Sequence, residues 1–158
     1  MRTLAPFIPT PDAHHAVTSE GESFIWQPRR GIVVQLARGV LSLPHAHSFI
    51  DFYRDLLVPG TTVSIFDDFE QLTHHTRDAR EFITAFTLER LFAIDIHFLQ
   101  SSKFLALGIS AFKHDIGDQH VCVYSDRASF VRSFESAMRD AERGSQQLAH
   151  HGNACRCT

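Results

Sequence analysis

The stretch VSIFDDFEQLTHHTRDAREF, Val63–Phe82, gathers the side chains best able to do chemistry: Asp67, Asp68, Glu70, His74 and His75. A catalytic metal centre needs about three His or carboxylate ligands and one open position. Histidine ligands on a helix sit at i and i+4, where they share a face. His74 and His75 are adjacent, so they diverge on a helix and point to opposite sides on a strand. Either can meet Asp67 or Asp68 only if a loop folds back. Two carboxylates can also serve as general acid and base, but only if burial raises one pKa and not the other. Adjacency does not supply that. The simpler reading is a strand leaving the core, its carboxylates solvated or capping nearby N–H groups. On this reading there is no catalytic residue and no metal or other cofactor.

Other candidate groups resolve the same way. In QSSKF, Ser101 or Ser102 would need Lys103 as a deprotonated base in an apolar pocket; the run reads instead as a polar turn into a strand. Among the 11 histidines, His45 and His47 point to different sides of a helix. His47 and Asp51, at i and i+4, read as a surface ion pair. His150, His151, Cys155 and Cys157 could gather a metal only by ordering a loose tail, which costs conformational entropy. LALGIS has one glycine, which is no phosphate-binding fingerprint.

Composition narrows the classes. The 158 residues suffice for one domain with a real core. Hydrophobic residues make up 44%, with 14 Phe against 2 Tyr and 1 Trp, which favours apolar packing. A formal net charge of -3 gives no support for gripping nucleic-acid phosphates. No run reaches the roughly 18 apolar residues of a membrane span. The N-terminus is broken by Pro6, Pro9 and Pro11, unlike a signal peptide, and three cysteines make no disulfide framework. A soluble, cytoplasmic protein is expected.

The elements that must position these residues follow from periodicity. Residues 1–21 read as a flexible arm and 143–158 as a flexible tail, leaving a domain at 22–142. Two short strands lie in SFIWQPRRGIVVQLARGVLSL, split by Pro28 and Gly31. Pro44 suits a first helical turn, and Ala46, Phe49, Ile50, Tyr53, Leu56 and Leu57 then mark one helical face. TTVSIF reads as a short buried strand. Asp78 and Glu81 fit a capping box for a long helix with Ala79, Phe82, Ile83, Phe86 and Leu91 inward, running to Leu99. KFLALGIS and HVCVYS read as strands. Asp126 caps a last helix whose face carries Phe130, Val131, Phe134, Ala137, Met138 and Ala141. The order β-β-α-β-α-β-α-β-α implies an α/β sheet of about five strands with crossover connections.

GIVVQLARGVLS leading into a helix, VSIFDDFEQL with its strand-terminal aspartate, IHFLQSSKFLALGISAF and VCVYSDRASFVRSFESAM together resemble the STAS superfamily, especially its SpoIIAA-like branch. The resemblance spans about Phe24 to Met138. It implies a non-enzymatic module that binds a protein partner or itself in cytoplasmic, bacterial signalling. In STAS antagonists the partner surface lies where a strand gives way to a helix, and a Ser or Thr there accepts phosphate. The corresponding stretch here, LTHHTRDA, offers Thr73 and Thr76 without the family's Asp-Ser-Gly core. The implied partner surface is therefore Asp67, Asp68, Thr73, His74, His75 and Thr76. The long helix carries apolar Leu88 and Phe92 beyond its core face, a breadth that suits a dimer or ligand surface. A second expectation is a carrier for a small apolar, lipid-like ligand, since the SpoIIAA-like fold is similar to lipid-carrier domains and the phenylalanines could line a cavity. An enzyme would require the Asp67–His75 stretch to converge in a pocket.

Overall fold

The computed structural model describes residues 7–90, 93–100 and 103–152. Six strands, β1 (His14–Val17), β2 (Gly21–Arg29), β3 (Ile32–Leu41), β4 (Val63–His75), β5 (Ile94–Leu99) and β6 (Val121–Tyr124), form one sheet in sequence order. Four helices, α1 (Leu43–Leu56), α2 (Arg77–Leu88), α3 (Lys103–Ile116) and α4 (Arg127–Gly152), complete it. β1, β2 and β3 pair antiparallel, while β3 to β6 run parallel.

That order dictates the layers. Connections between parallel neighbours are almost always right-handed. Three successive steps in one direction across the sheet therefore lay α1, α2 and α3 on the same face. Phe49 and Tyr53 of α1, Ala79 of α2, and Ile109, Phe112 and Ile116 of α3 accordingly join one core cluster. α4 follows the last strand and takes the other face, where Phe130, Val131 and Phe134 pack with Phe66 and Phe7. β3, covered on both sides, is buried from Ile32 through Ala37, as a strand with helices on both faces should be. Pro28 sits where the β2–β3 register slips between Trp26 and Arg29, a break that tolerates a missing N–H.

α1 begins one residue before Pro44, behind Ser42, which forms a capping box with His45. Ser42 N–H donates to His45 Nδ1 at 3.1 Å, and His45 Nε2 lies 3.2 Å from the Gly21 carbonyl. Asp126 receives the Ser129 N–H at 2.8 Å, capping α4.

Several expectations are corrected. Residues 94–99 are a strand, not the end of a long helix. The period-two alternation in AIDIHFL sends Ile94, Ile96 and Phe98 to the α1–α3 face and Leu99 to the α4 face. α2 thus stops at Leu88. KFLALGIS lies in α3, not in a strand; Ile109, Phe112 and Ile116 form its buried stripe, a spacing that emerges only when residues beyond the apolar run are included. The expected arm contains β1, paired with β2 from His14 to Val17, and a buried Phe7 stacked on Phe130 at 5.1 Å. α4 continues through Gly152, past the loose tail expected from Arg143. Thr76 is the N-cap of α2, so Asp78 falls inside the first turn, and Glu81 pairs with Arg77 at 2.7 Å rather than closing a capping box. Asp51 pairs with Arg54 at 2.9 Å, and His47 packs on Phe82 with ring centroids 4.5 Å apart.

Candidate functional site

β4 does not leave the sheet after Phe66. It runs for 13 residues, held between Leu36 of β3 and Leu99 of β5 at Asp68. Both aspartates are therefore buried, 3% and 2% exposed, and the solvated reading is overturned. Neighbours on a strand face opposite sides, so the sheet separates the pair. Asp67 shares its face with Val63 and Ile65, toward α1–α3; Asp68 shares its face with Phe66, toward α4.

Asp68 meets a cation. Arg127, the first residue of α4, places Nη2 2.9 Å from Asp68 Oδ2 and 2.6 Å from Glu70 Oε2. Burial raises the Asp68 pKa from its ordinary value, and the Arg127 charge opposes that rise. This is a structural tie between β4 and α4.

Among the described residues Asp67 meets no cation. Its Oδ1 accepts a hydrogen bond from Gln35 Nε2 at 2.6 Å. Burial pushes its pKa well above the carboxylate range, and the Gln35 bond only partly opposes this. An ionised carboxylate without a counter-charge is too costly in such a place, so the group keeps its proton. Tyr53 of α1 faces the same region. Its hydroxyl pKa is driven well up by burial first and by Asp67 second. The Gln35 amide is close enough to favour Tyr53 ionisation slightly, yet no hydrogen bond of good geometry joins the two groups.

Gln35, Tyr53 and Asp67 line a cavity of about 90 Å³ between the sheet and α1–α3. Its walls are otherwise largely apolar, with Phe49, Ile65, Phe69, Phe98 and Phe112 among them. Half-buried Arg80 and Thr84 line it as well, and both also border an open groove between α2 and α3. The cavity mouth therefore lies at that groove.

Two irregularities in β4 bring a further residue to the cavity. Leu36 pairs with Asp68 but Arg38 with Gln71, and Gly39 pairs with Leu72 but Val40 with His74. Each step adds one residue to β4, as in a β-bulge. The inward positions consequently run 63, 65, 67, 69, 72 and 75, and His75 lines the cavity while His74 is exposed. Burial lowers the His75 pKa, aided by the charges of Arg80 and His74. Gly108 of α3 lies against this ring; a Cβ there would come within 2.6 Å of His75 Cε1.

The remaining expected positions scatter. Thr73 is exposed and donates to the Gly39 carbonyl at 2.8 Å. Thr76 has the extended backbone of an N-cap, with no side-chain capping bond. Glu70 lies on the α4 side with Arg127. Leu88 is 45% exposed, whereas Phe92, Ser101, Ser102, Cys155 and Cys157 lie outside the described residues. Lys103 opens α3, and His150 and His151 fall in the last turns of α4. Among the described residues no group of three or more His, Cys, Asp or Glu is placed to hold a metal ion. No described helix is long and apolar enough to cross a membrane.

Sequence reasoning missed Gln35, Tyr53 and Arg127 as site residues. Gln35 was legible as the one polar residue in IVVQLA; Tyr53 read as ordinary core, and nothing local marked Arg127.

No protein-family model and no curated protein matches the chain. It is similar to an uncharacterised protein of the DUF3478 family from Shewanella loihica PV-4, whose crystal structure has a SpoIIAA-like fold. The TM-score is 0.54 at 9% identity, covering 79% of this chain and 97% of that one. Identity so low speaks for fold, not function. With its mixed sheet, single α4 face and three-helix opposite face, this chain has a SpoIIAA-like fold.

Proposed function

We propose that this domain is a non-enzymatic binding module that takes a small, largely apolar molecule into the cavity between the sheet and α1–α3. The observation that carries the reading is the polar floor of an otherwise apolar space. A packing defect has no use for Gln35, Tyr53 and Asp67, because each buried polar group left unpaired costs about 1–3 kcal/mol. A concave apolar pocket with a few convergent polar groups is what ligand sites generally look like.

The test is ligand retention and ligand-dependent stability. Native mass spectrometry of the purified chain should show a bound small molecule, or thermal melting against small aromatic compounds should find stabilisers. A ligand at 100 times its Kd adds about 2.7 kcal/mol. Thr84→Trp, which blocks the mouth from a half-buried position, should abolish both signals. If no compound stabilises the parent and nothing is retained, the cavity is a packing defect.

A partner surface at the β4–α2 junction is favoured by one observation: exposed Thr73 and His74 directly precede cavity-lining His75. A partner there would sense occupancy. Thr73→Glu is the suitable probe, since the Thr76 hydroxyl is buried and a charge there would be costly. Thr73→Glu should change partner affinity or self-association while shifting the melting temperature by no more than about two degrees, as surface changes do. Unchanged association would remove this surface from consideration.

A further inference from the structure

On the reading that the cavity binds a small molecule, its floor restricts what that molecule is. Gln35 Nε2 donates to Asp67 Oδ1 at 2.6 Å, which leaves Gln35 Oε1 and the Tyr53 hydroxyl without hydrogen-bond partners among the described residues. Both residues are almost fully buried, 6% and 5% exposed. An amide oxygen requires a donor, whereas a phenol can donate or accept. A ligand hydroxyl does both, with one O–H and two lone pairs. A carboxylate can only accept and an ammonium can only donate. A carboxylate would also bring a charge against a neutral amide, a neutral phenol and a protonated carboxyl, and an ammonium could pair with Asp67 only after that buried carboxyl gave up its proton and both ions left water. Arg80 does not compensate at the floor: its charge acts on His75 but is not among the influences on Asp67.

The size follows from the volume. The space is about 90 Å³, and one water needs about 10–15 Å³, so roughly six to nine non-hydrogen atoms fit. The walls favour an aromatic ring, since Phe49, Phe69, Phe98 and Phe112 offer edges and faces to it.

We infer that the cavity takes a neutral, hydroxyl-bearing aromatic of the size of an alkylphenol, its hydroxyl against Gln35, Tyr53 and Asp67 and its ring among the phenylalanines.

Four probes that all fall within this size separate the possibilities: p-cresol, toluene, benzoate and benzylamine. Their affinities for the full chain are measured by titration calorimetry or ligand-observed NMR at pH 7. The expected order puts p-cresol about tenfold tighter than toluene, in line with one good hydrogen bond in a buried site, with both charged probes weaker than toluene. Tyr53→Phe should cut the p-cresol preference severalfold and leave toluene within twofold of the parent. Equal binding of toluene and p-cresol, or tightest binding by a charged probe, overturns the hydroxyl class while leaving the cavity as a binding site. Binding by none of the four overturns the class too, and the cavity reading is then judged by the native mass spectrum alone.

Discussion

Asp67 is a carboxyl whose proton stabilises the fold. Burial raises its pKa far above that of the unfolded chain, so the native state binds one more proton than the unfolded state between those two values. Stability therefore falls as pH rises above the unfolded pKa, near 3.9, by up to about 1.4 kcal/mol per pH unit until the native group ionises. Asp67→Asn removes this slope and keeps an acceptor for Gln35. Its melting temperature should exceed the parent's by more at pH 8 than at pH 4.5; an equal difference at both would show that Asp67 titrates normally. Asp68, one residue on, behaves differently because it has Arg127. Arg127→Ala leaves a 2%-exposed carboxylate unpaired and should cost about 3 kcal/mol in urea denaturation, since removing one partner of a buried pair is far worse than removing both. Arg127→Met with Asp68→Leu should recover most of that loss. A loss below about 0.5 kcal/mol for Arg127→Ala would mean that the bridge is only a surface contact.

At the scale of elements, β4 decides which side chains reach the cavity. An unbroken strand would have kept every odd-numbered residue inward. The first added residue instead turns Leu72 inward, and the second restores the odd phase, so that His75 and not His74 rejoins the face of Asp67. α3 must then pass close to His75, and Gly108 is where it does. The two positions should be energetically coupled. In a His75→Ala background, Gly108→Ala should stabilise by about 0.5–1 kcal/mol, the helix propensity gain of Ala over Gly. In the parent the same change should be neutral or destabilising, because the ring must move away. A double-mutant cycle should return a coupling of at least 0.5 kcal/mol, the range for residues in contact; strict additivity would place the ring elsewhere. This arrangement was not legible in VSIFDDFEQLTHH, since a bulge depends on how β3 and β4 pair and on no single residue in either.

At the scale of the whole molecule, one sheet separates two sets of contacts: a cavity face under α1–α3 and a tightly packed aromatic face under α4. Phe66 is fully buried there, with ring centroids 4.3 Å from His97, 5.2 Å from Phe134 and 5.8 Å from Phe130. Phe66→Ala should cost about 3–5 kcal/mol, more than Phe86→Ala, because Phe86 is only partly buried. The reverse order, read from urea midpoints, would show that the α4 face is the looser one. Local patterning accounts for the α/β class, the helices α1 and α4 and the core-facing stripe Ala79, Phe82, Ile83 and Phe86 of α2, Leu91 lying outside the described residues, because apolar residues at helical spacing and capping residues act locally. It also carried the period-two signal of β5, but with residues apolar on both faces a short run suits either a strand or a buried helix, and the neighbouring α3 was misread for the same reason. Only the tertiary structure decided that β4 continues past Phe66, because β3 and β5 on either side satisfy its backbone groups and so draw Asp67 and Asp68 into the interior. Only it brought Gln35, Tyr53 and Asp67 to one cavity floor, since they lie on three elements and meet through sheet register and helix packing. Local sequence encodes neither.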